Sequence, residues 1–100
     1  MADAMTPGSR GDVQLEDDRF RVTRWTIEPG GAIPMHRHEH DYVVVPLVTG
    51  TMHVLQADGG EFAAELECGE SYTRSAGAEH RIENRDGDAD VVFVEVERLS

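Results

Sequence analysis

The sequence predicts a single all-β domain, a sandwich or barrel of short strands. Turn signals recur at short intervals, at Pro29-Gly30-Gly31, Thr49-Gly50, Asp58-Gly59-Gly60, Cys68-Gly69, Ala76-Gly77 and Asp86-Gly87-Asp88. The runs between them are too short for most helices and are rich in β-branched and aromatic residues. No repeat and no low-complexity linker divides the chain, and 100 residues suffice for one hydrophobic core but not two.

In chain order, residues 1–18 read as a flexible arm ahead of a barrel over 19–100. The alternative for the first dozen residues is a strand exchanged onto a neighbouring subunit. Strands are predicted near Phe20–Ile27 and Ile33–His38, each bounded by the Pro29-Gly30-Gly31 turn. The next, near Tyr42–Thr49, is apolar on both faces, which fits a central strand or one covered by a partner. Pro46 lacks the amide proton a ladder needs and marks an interruption or an edge there. Further strands fall near Met52–Gln56, Phe62–Leu66, Ser71–Arg74 and Glu79–Glu83. In the last, Val91–Glu97, Val92, Val94 and Val96 alternate with Phe93 and Glu95, so one face meets the core and the other is partly wet.

Composition narrows the function classes. The formal net charge is -11, so phosphate backbones and anionic lipid surfaces repel the protein and nucleic acid is not an expected partner. All nine basic residues are arginine, and without lysine there is no Schiff-base chemistry. A charged fraction of 29% and the absence of any long apolar run argue against a membrane protein. The first residues lack the apolar stretch of a secretory signal, and the single Cys68 permits no internal disulfide; both lead to a cytoplasmic expectation. Cys68 itself reads as a small, partly buried side chain ahead of the Gly69 turn.

His36 and His38 stand two apart in a β-prone stretch, so both project from one face and their imidazoles can converge on an ion. Gly30 precedes His36 with five residues between, and Gly50 follows. Downstream, residues 69–84 read GESYTRSAGAEHRIEN. These stretches resemble the paired motifs of the cupin family: a glycine, five residues, HxH, then a glutamate and a glycine; later a glycine, five residues, PxG, two residues, His, three residues and Asn. Gly30, His36, His38 and Gly50 match the first, and Gly69, Gly77, His80 and Asn84 match the second. The string HRHEHDYVVVPLVTG is also similar to small bacterial monocupins of the beta-alanine degradation subgroup.

The resemblance covers about Phe20 to Glu97 and implies the cupin double-stranded β-helix, a jelly-roll barrel, with His36, His38 and His80 as metal ligands. Two residues depart from it. Ser75 stands in place of the motif proline. The motif glutamate is missing, its place falling on Val43 or, in a shorter spacing, on Tyr42. Tyr42 is therefore a candidate for a fourth ligand or a substrate contact, or an aromatic packed at the barrel mouth; His40 and His53 are weaker candidates for the fourth ligand. Asp41 is a candidate either to orient a ligating imidazole or to cap a turn.

Three neutral imidazoles suit a divalent transition metal, iron first, with Zn, Ni, Mn or Cu as alternatives, and leave its charge for a small anionic substrate. This resembles the three-histidine arrangement of thiol dioxygenases. It implies a metal-dependent, oxygenase-type enzyme acting on a carboxylic acid, amino acid or thiol, with Tyr42 and Arg74 as catalytic candidates. Arg74 and Arg81 flank the second motif, where a guanidinium can clamp a carboxylate, although Arg81 also suits a surface ion pair. Glu79, beside His80, is either a base or simply exposed. The alternatives are a non-catalytic ligand- or metal-binding barrel and a metal-dependent isomerase or lyase. Exposed strand edges, and the habit of the family, imply a homodimer.

Overall fold

The computed structural model describes residues 8–85 and 87–100. Nine strands and no helix occur among them: β1 (Ser9–Glu16), β2 (Phe20–Ile27), β3 (Ala32–Arg37), β4 (Tyr42–Pro46), β5 (Gly50–Gln56), β6 (Glu61–Leu66), β7 (Tyr72–Arg74), β8 (Glu79–Glu83) and β9 (Val91–Arg98). No helix is long and apolar enough to cross a membrane. The strands form a five-stranded sheet, ordered β1-β2-β9-β4-β7, and a four-stranded sheet, ordered β3-β8-β5-β6. All pairings are antiparallel. The two sheets face one another as a double-stranded β-helix, as the motifs implied.

Period-two alternation drives the packing. Ile27, Tyr42, Val44, Val91 and Phe93 from the larger sheet meet Ile33, Met52, Val54, Leu66 and Ile82 from the smaller one. β4 is apolar on both faces because it is central, with β9 on one side and β7 on the other. Pro46 closes β4 beyond the last β4–β7 pair at Val44 and Tyr72, where a missing amide proton costs that ladder nothing.

Two expectations differ from the structure. Within the span expected to be an arm, Ser9–Glu16 is a strand paired along its length with β2 of the same chain; residues 1–7 lie outside the described residues. No alternation marks this strand, because Val13 and Leu15 are both exposed and a bulge between them puts them on opposite faces, so the ladder, not a core face, holds it. Cys68 is exposed rather than partly buried, with its Sγ 3.2 Å from the Leu47 carbonyl oxygen.

The motif residues outside the histidines hold the strands in place. Gly30, Gly69 and Gly77 have φ of 81°, 83° and 100°, a region that side chains rarely adopt. Asn84 is buried, and its Nδ2 donates to the carbonyls of Ile27 and Ala89 at 2.9 Å each. Its own carbonyl accepts from the Gly30 amide at 2.8 Å, which ties the second motif to the start of the first.

Candidate metal centre

The β3–β8 ladder brings the histidines together. Ile33 pairs with Ile82 and His36 with His80, so three steps along β3 match two along β8. The extra residue is absorbed in a bulge, which lets buried Ile33 and His36 both face inward despite their odd spacing, while Met35 turns out to solvent. His38, just past the end of β3, is fixed by its amide donating to the Ala78 carbonyl and by its carbonyl accepting from the Gly77 amide, both at 2.8 Å. The glycine turn of the second motif thus holds the end of the first.

The three rings converge through Nε2. His38 Nε2 lies 3.0 Å from His36 Nε2 and 3.1 Å from His80 Nε2. His36 Nδ1 is 2.8 Å from the Pro34 carbonyl, which can only accept; that places the proton on Nδ1 and leaves the Nε2 lone pair free. Burial, reinforced by the neighbouring rings, lowers the pKa of His38 and of His80 to about 4, so both are neutral at pH 7.

This donor set fits a cation. Two nitrogens each ~2.1 Å from one ion are about 3.0 Å apart at a right angle and roughly 3.4 Å apart at the tetrahedral angle. The separations of 3.0 and 3.1 Å are short enough for one ion to be shared by the three rings.

The place of the absent motif glutamate is occupied by an aromatic ring. Tyr42 is buried and stacks on His38, with centroids 4.0 Å apart and planes 20° apart, while Val43 faces the other side of the sheet. Burial, with Glu95 nearby, raises the phenol pKa, so Tyr42 is a neutral phenol rather than a phenolate. Arg74, opposite Tyr42 on β7, lies over the Tyr72 ring at 4.5 Å and donates to the Thr73 carbonyl. Tyr42, Arg74, His36 and His80 line one cavity of about 120 Å³ inside the barrel. A wider groove, about 660 Å³, between β1 and β3 reaches His36 and His38 from the other side.

The remaining candidates are elsewhere. His53 lies on β5 between buried Met52 and Val54, on the face away from the core. His40 belongs to no convergent group of ligand atoms among the described residues. Arg81 pairs with Glu83 at 2.7 Å, and Glu79 is exposed. Asp41 caps a turn, its Oδ1 accepting from the Ala76 amide at 2.8 Å.

The sequence reading missed Glu95 and Glu97. Both are buried on β9, and with His38 they form a second convergent group. Glu97 accepts from Arg21 at 2.7 and 3.2 Å. Glu95 Oε2 is 3.9 Å from His38 Nε2 and accepts from the Trp25 side chain. Burial, then the neighbouring Glu97, raises the pKa of Glu95 to about 7; beside a neutral imidazole this contact is not an ion pair. Alternation along β9 was the available signal, since glutamates in phase with Phe93 face inward whenever Phe93 does.

Residues 23–97 match the family model for the cupin domain. The chain is 45% identical over 85 residues to the beta-alanine degradation protein BauB of Pseudomonas aeruginosa, covering 85% of this chain and 87% of that one. A crystal structure of a cupin domain from Bordetella pertussis Tohama I superposes with a TM-score of 0.89 at 41% identity, over 95% of this chain and 97% of that one. The polyketide cyclase RemF from Streptomyces resistomycificus shares the fold, with a TM-score of 0.74 at 23% identity over 95% and 68% of the two chains.

Proposed function

The chain belongs to the cupin family, and from that premise we propose that it is a metal-dependent enzyme of the oxygenase type acting on a small anionic molecule. His36, His38 and His80 would hold one divalent transition metal. The observation that carries the reading is the approach of three Nε2 atoms around one point, two of the separations being 3.0 and 3.1 Å. Three neutral imidazole nitrogens favour a transition ion over magnesium or calcium, with iron first and zinc, nickel, manganese and copper in the candidate set. When bound, the metal supplies a Lewis-acidic centre with open positions for substrate and a co-reactant.

The chain's own residues then have separate tasks. Arg74, held over the Tyr72 ring, presents the rest of its guanidinium to the cavity and clamps the anionic group of the substrate. Tyr42, kept protonated by burial, offers a hydrogen bond and fixes the plane of the His38 ring. Ile33, Val44, Val54 and Phe93 exclude water from the rest of the cavity. BauB is named for beta-alanine degradation, which supports amino and carboxylic acids as the first substrates to try, with thiols beside them.

The proposed setting is a cytoplasmic homodimer. β1 is the edge of its sheet and leaves a free backbone edge with Leu15 exposed beside it, which a second copy would cover. Sedimentation at twice the chain mass is the expected result.

The test is metal analysis of untagged protein, followed by oxygen uptake with short amino acids, carboxylic acids and thiols. About one metal per chain with substrate-dependent uptake supports the reading. Full loading with product formed without oxygen selects an isomerase or lyase instead, and full loading with saturable binding but no turnover selects a binding protein.

A further inference from the structure

Glu95 is a buried carboxylate with no assigned task. It is 8% exposed on β9, in the middle of the larger sheet, and its side chain lines the cavity that holds Tyr42, Arg74, His36 and His80. The neighbouring Glu97 has its charge answered by two hydrogen bonds from Arg21, whereas Glu95 has one donor, Trp25. A carboxylate with two oxygens accepts about four hydrogen bonds, so one donor leaves it acceptor capacity for a further one. Glu95 converges with His38 and Glu97 rather than with His36 and His80, so it stands beside the three-histidine group and shares only His38 with it.

Arg74 is the complementary feature. Among the described residues no carboxylate lies within ion-pair distance of it, and it does not pair with Glu95 across the cavity. A cavity of about 120 Å³ thus presents a cation with no carboxylate partner and an acceptor with spare capacity to the same small occupant. An occupant with only an anionic group answers one of the two.

We propose that Glu95 determines specificity by accepting a hydrogen bond from an ammonium or hydroxyl group of the substrate, so that the site selects a short bifunctional acid over the plain acid. This deepens the reading above and rests on it. The donor enters beside His38 and competes with, or adds to, the Trp25 indole. Because Trp25 is the only tryptophan, its emission reports on Glu95 directly.

The experiment is calorimetric titration of the zinc-loaded, untagged protein with propanoate, 3-hydroxypropanoate and 3-aminopropanoate, which differ in one group. The wild type is expected to prefer one of the substituted acids to propanoate by at least tenfold, with a shift of Trp25 emission on binding. Glu95→Leu should keep metal and propanoate binding and reduce the preference to within twofold. Glu95→Gln separates the donors: it retains a hydroxyl preference and loses an ammonium one. Equal binding of all three acids by the wild type, or a preference that survives in Glu95→Leu, overturns the assignment and leaves the metal reading intact. Absence of metal, or of binding by any of the three, overturns the reading beneath it and this assignment together.

Discussion

His36 lies directly opposite His80 across the β3–β8 ladder, on strands whose histidines are 44 positions apart in the chain. That pairing exists because the ladder shifts by one residue after Ile33. The same shift brings the Pro34 carbonyl to His36 Nδ1 and so turns the free lone pair toward His38 and His80.

Replacing His36, His38 or His80 singly by alanine is therefore expected to lower metal affinity by roughly 100-fold or more. Loss of even an outer partner of a ligand costs 10–100-fold. His40→Ala and His53→Ala should bind metal like the wild type. Competition with a chromogenic chelator measures both, with far-ultraviolet circular dichroism confirming the fold.

The inward residues differ in how readily the sequence disclosed them. HxH spacing pointed to His36 and His38, and the motif added His80, because a candidate metal site is read from one residue type at fixed spacing; the ladder brings the three rings together. Tyr42 was legible as an inward aromatic, but its stacking on His38 depends on the distance between sheets, which no local pattern carries. Glu95 and Glu97 were obscured by the three valines with which they alternate: alternation showed that one face meets the core but not which, and Val92, Val94 and Val96 are the half-buried outer face while the glutamates point inward. β1 was hidden for the opposite reason, since its apolar residues face solvent.

The metal-free protein should lose stability on acidification. His38 and His80 have folded pKa values depressed from 6.5 to about 4, so the unfolded chain binds more protons between those values and stability rises with pH across that window. The effect is on the order of 1–3 kcal/mol for each ring. Glu95, raised from 4.5 to about 7, acts in the opposite sense and stabilises less as pH rises through that range. Two groups against one leave a net gain between pH 4.5 and 6.5, and Glu95→Gln should steepen it. Urea denaturation in the presence of a chelator at three pH values reads the slope.

Arg74→Gln should weaken binding of a small carboxylate to the metal-loaded protein by about 10-fold or more, since a charge-assisted hydrogen bond is worth roughly 1.5–3 kcal/mol. Metal content should be unchanged. Arg81→Gln, which removes only the pair with Glu83, should leave carboxylate binding as it is. Isothermal titration of both variants makes the comparison.

Asn84→Ala should cost about 2–4 kcal/mol, because it removes the donors to two carbonyls, of Ile27 and Ala89, from a side chain that is 2% exposed. Thermal unfolding with and without metal measures the loss. Metal raises the midpoint of the variant as it does that of the wild type, since Asn84 holds strands rather than the ion.

Anomalous diffraction from crystals of untagged protein, collected at the absorption edge of the metal found in solution, addresses the central claim most directly. The predicted result is one strong peak per chain, about 2.1 Å from the Nε2 atoms of His36, His38 and His80. A metal peak elsewhere, or fully ordered rings around a site that stays empty in metal-saturated crystals, would contradict it.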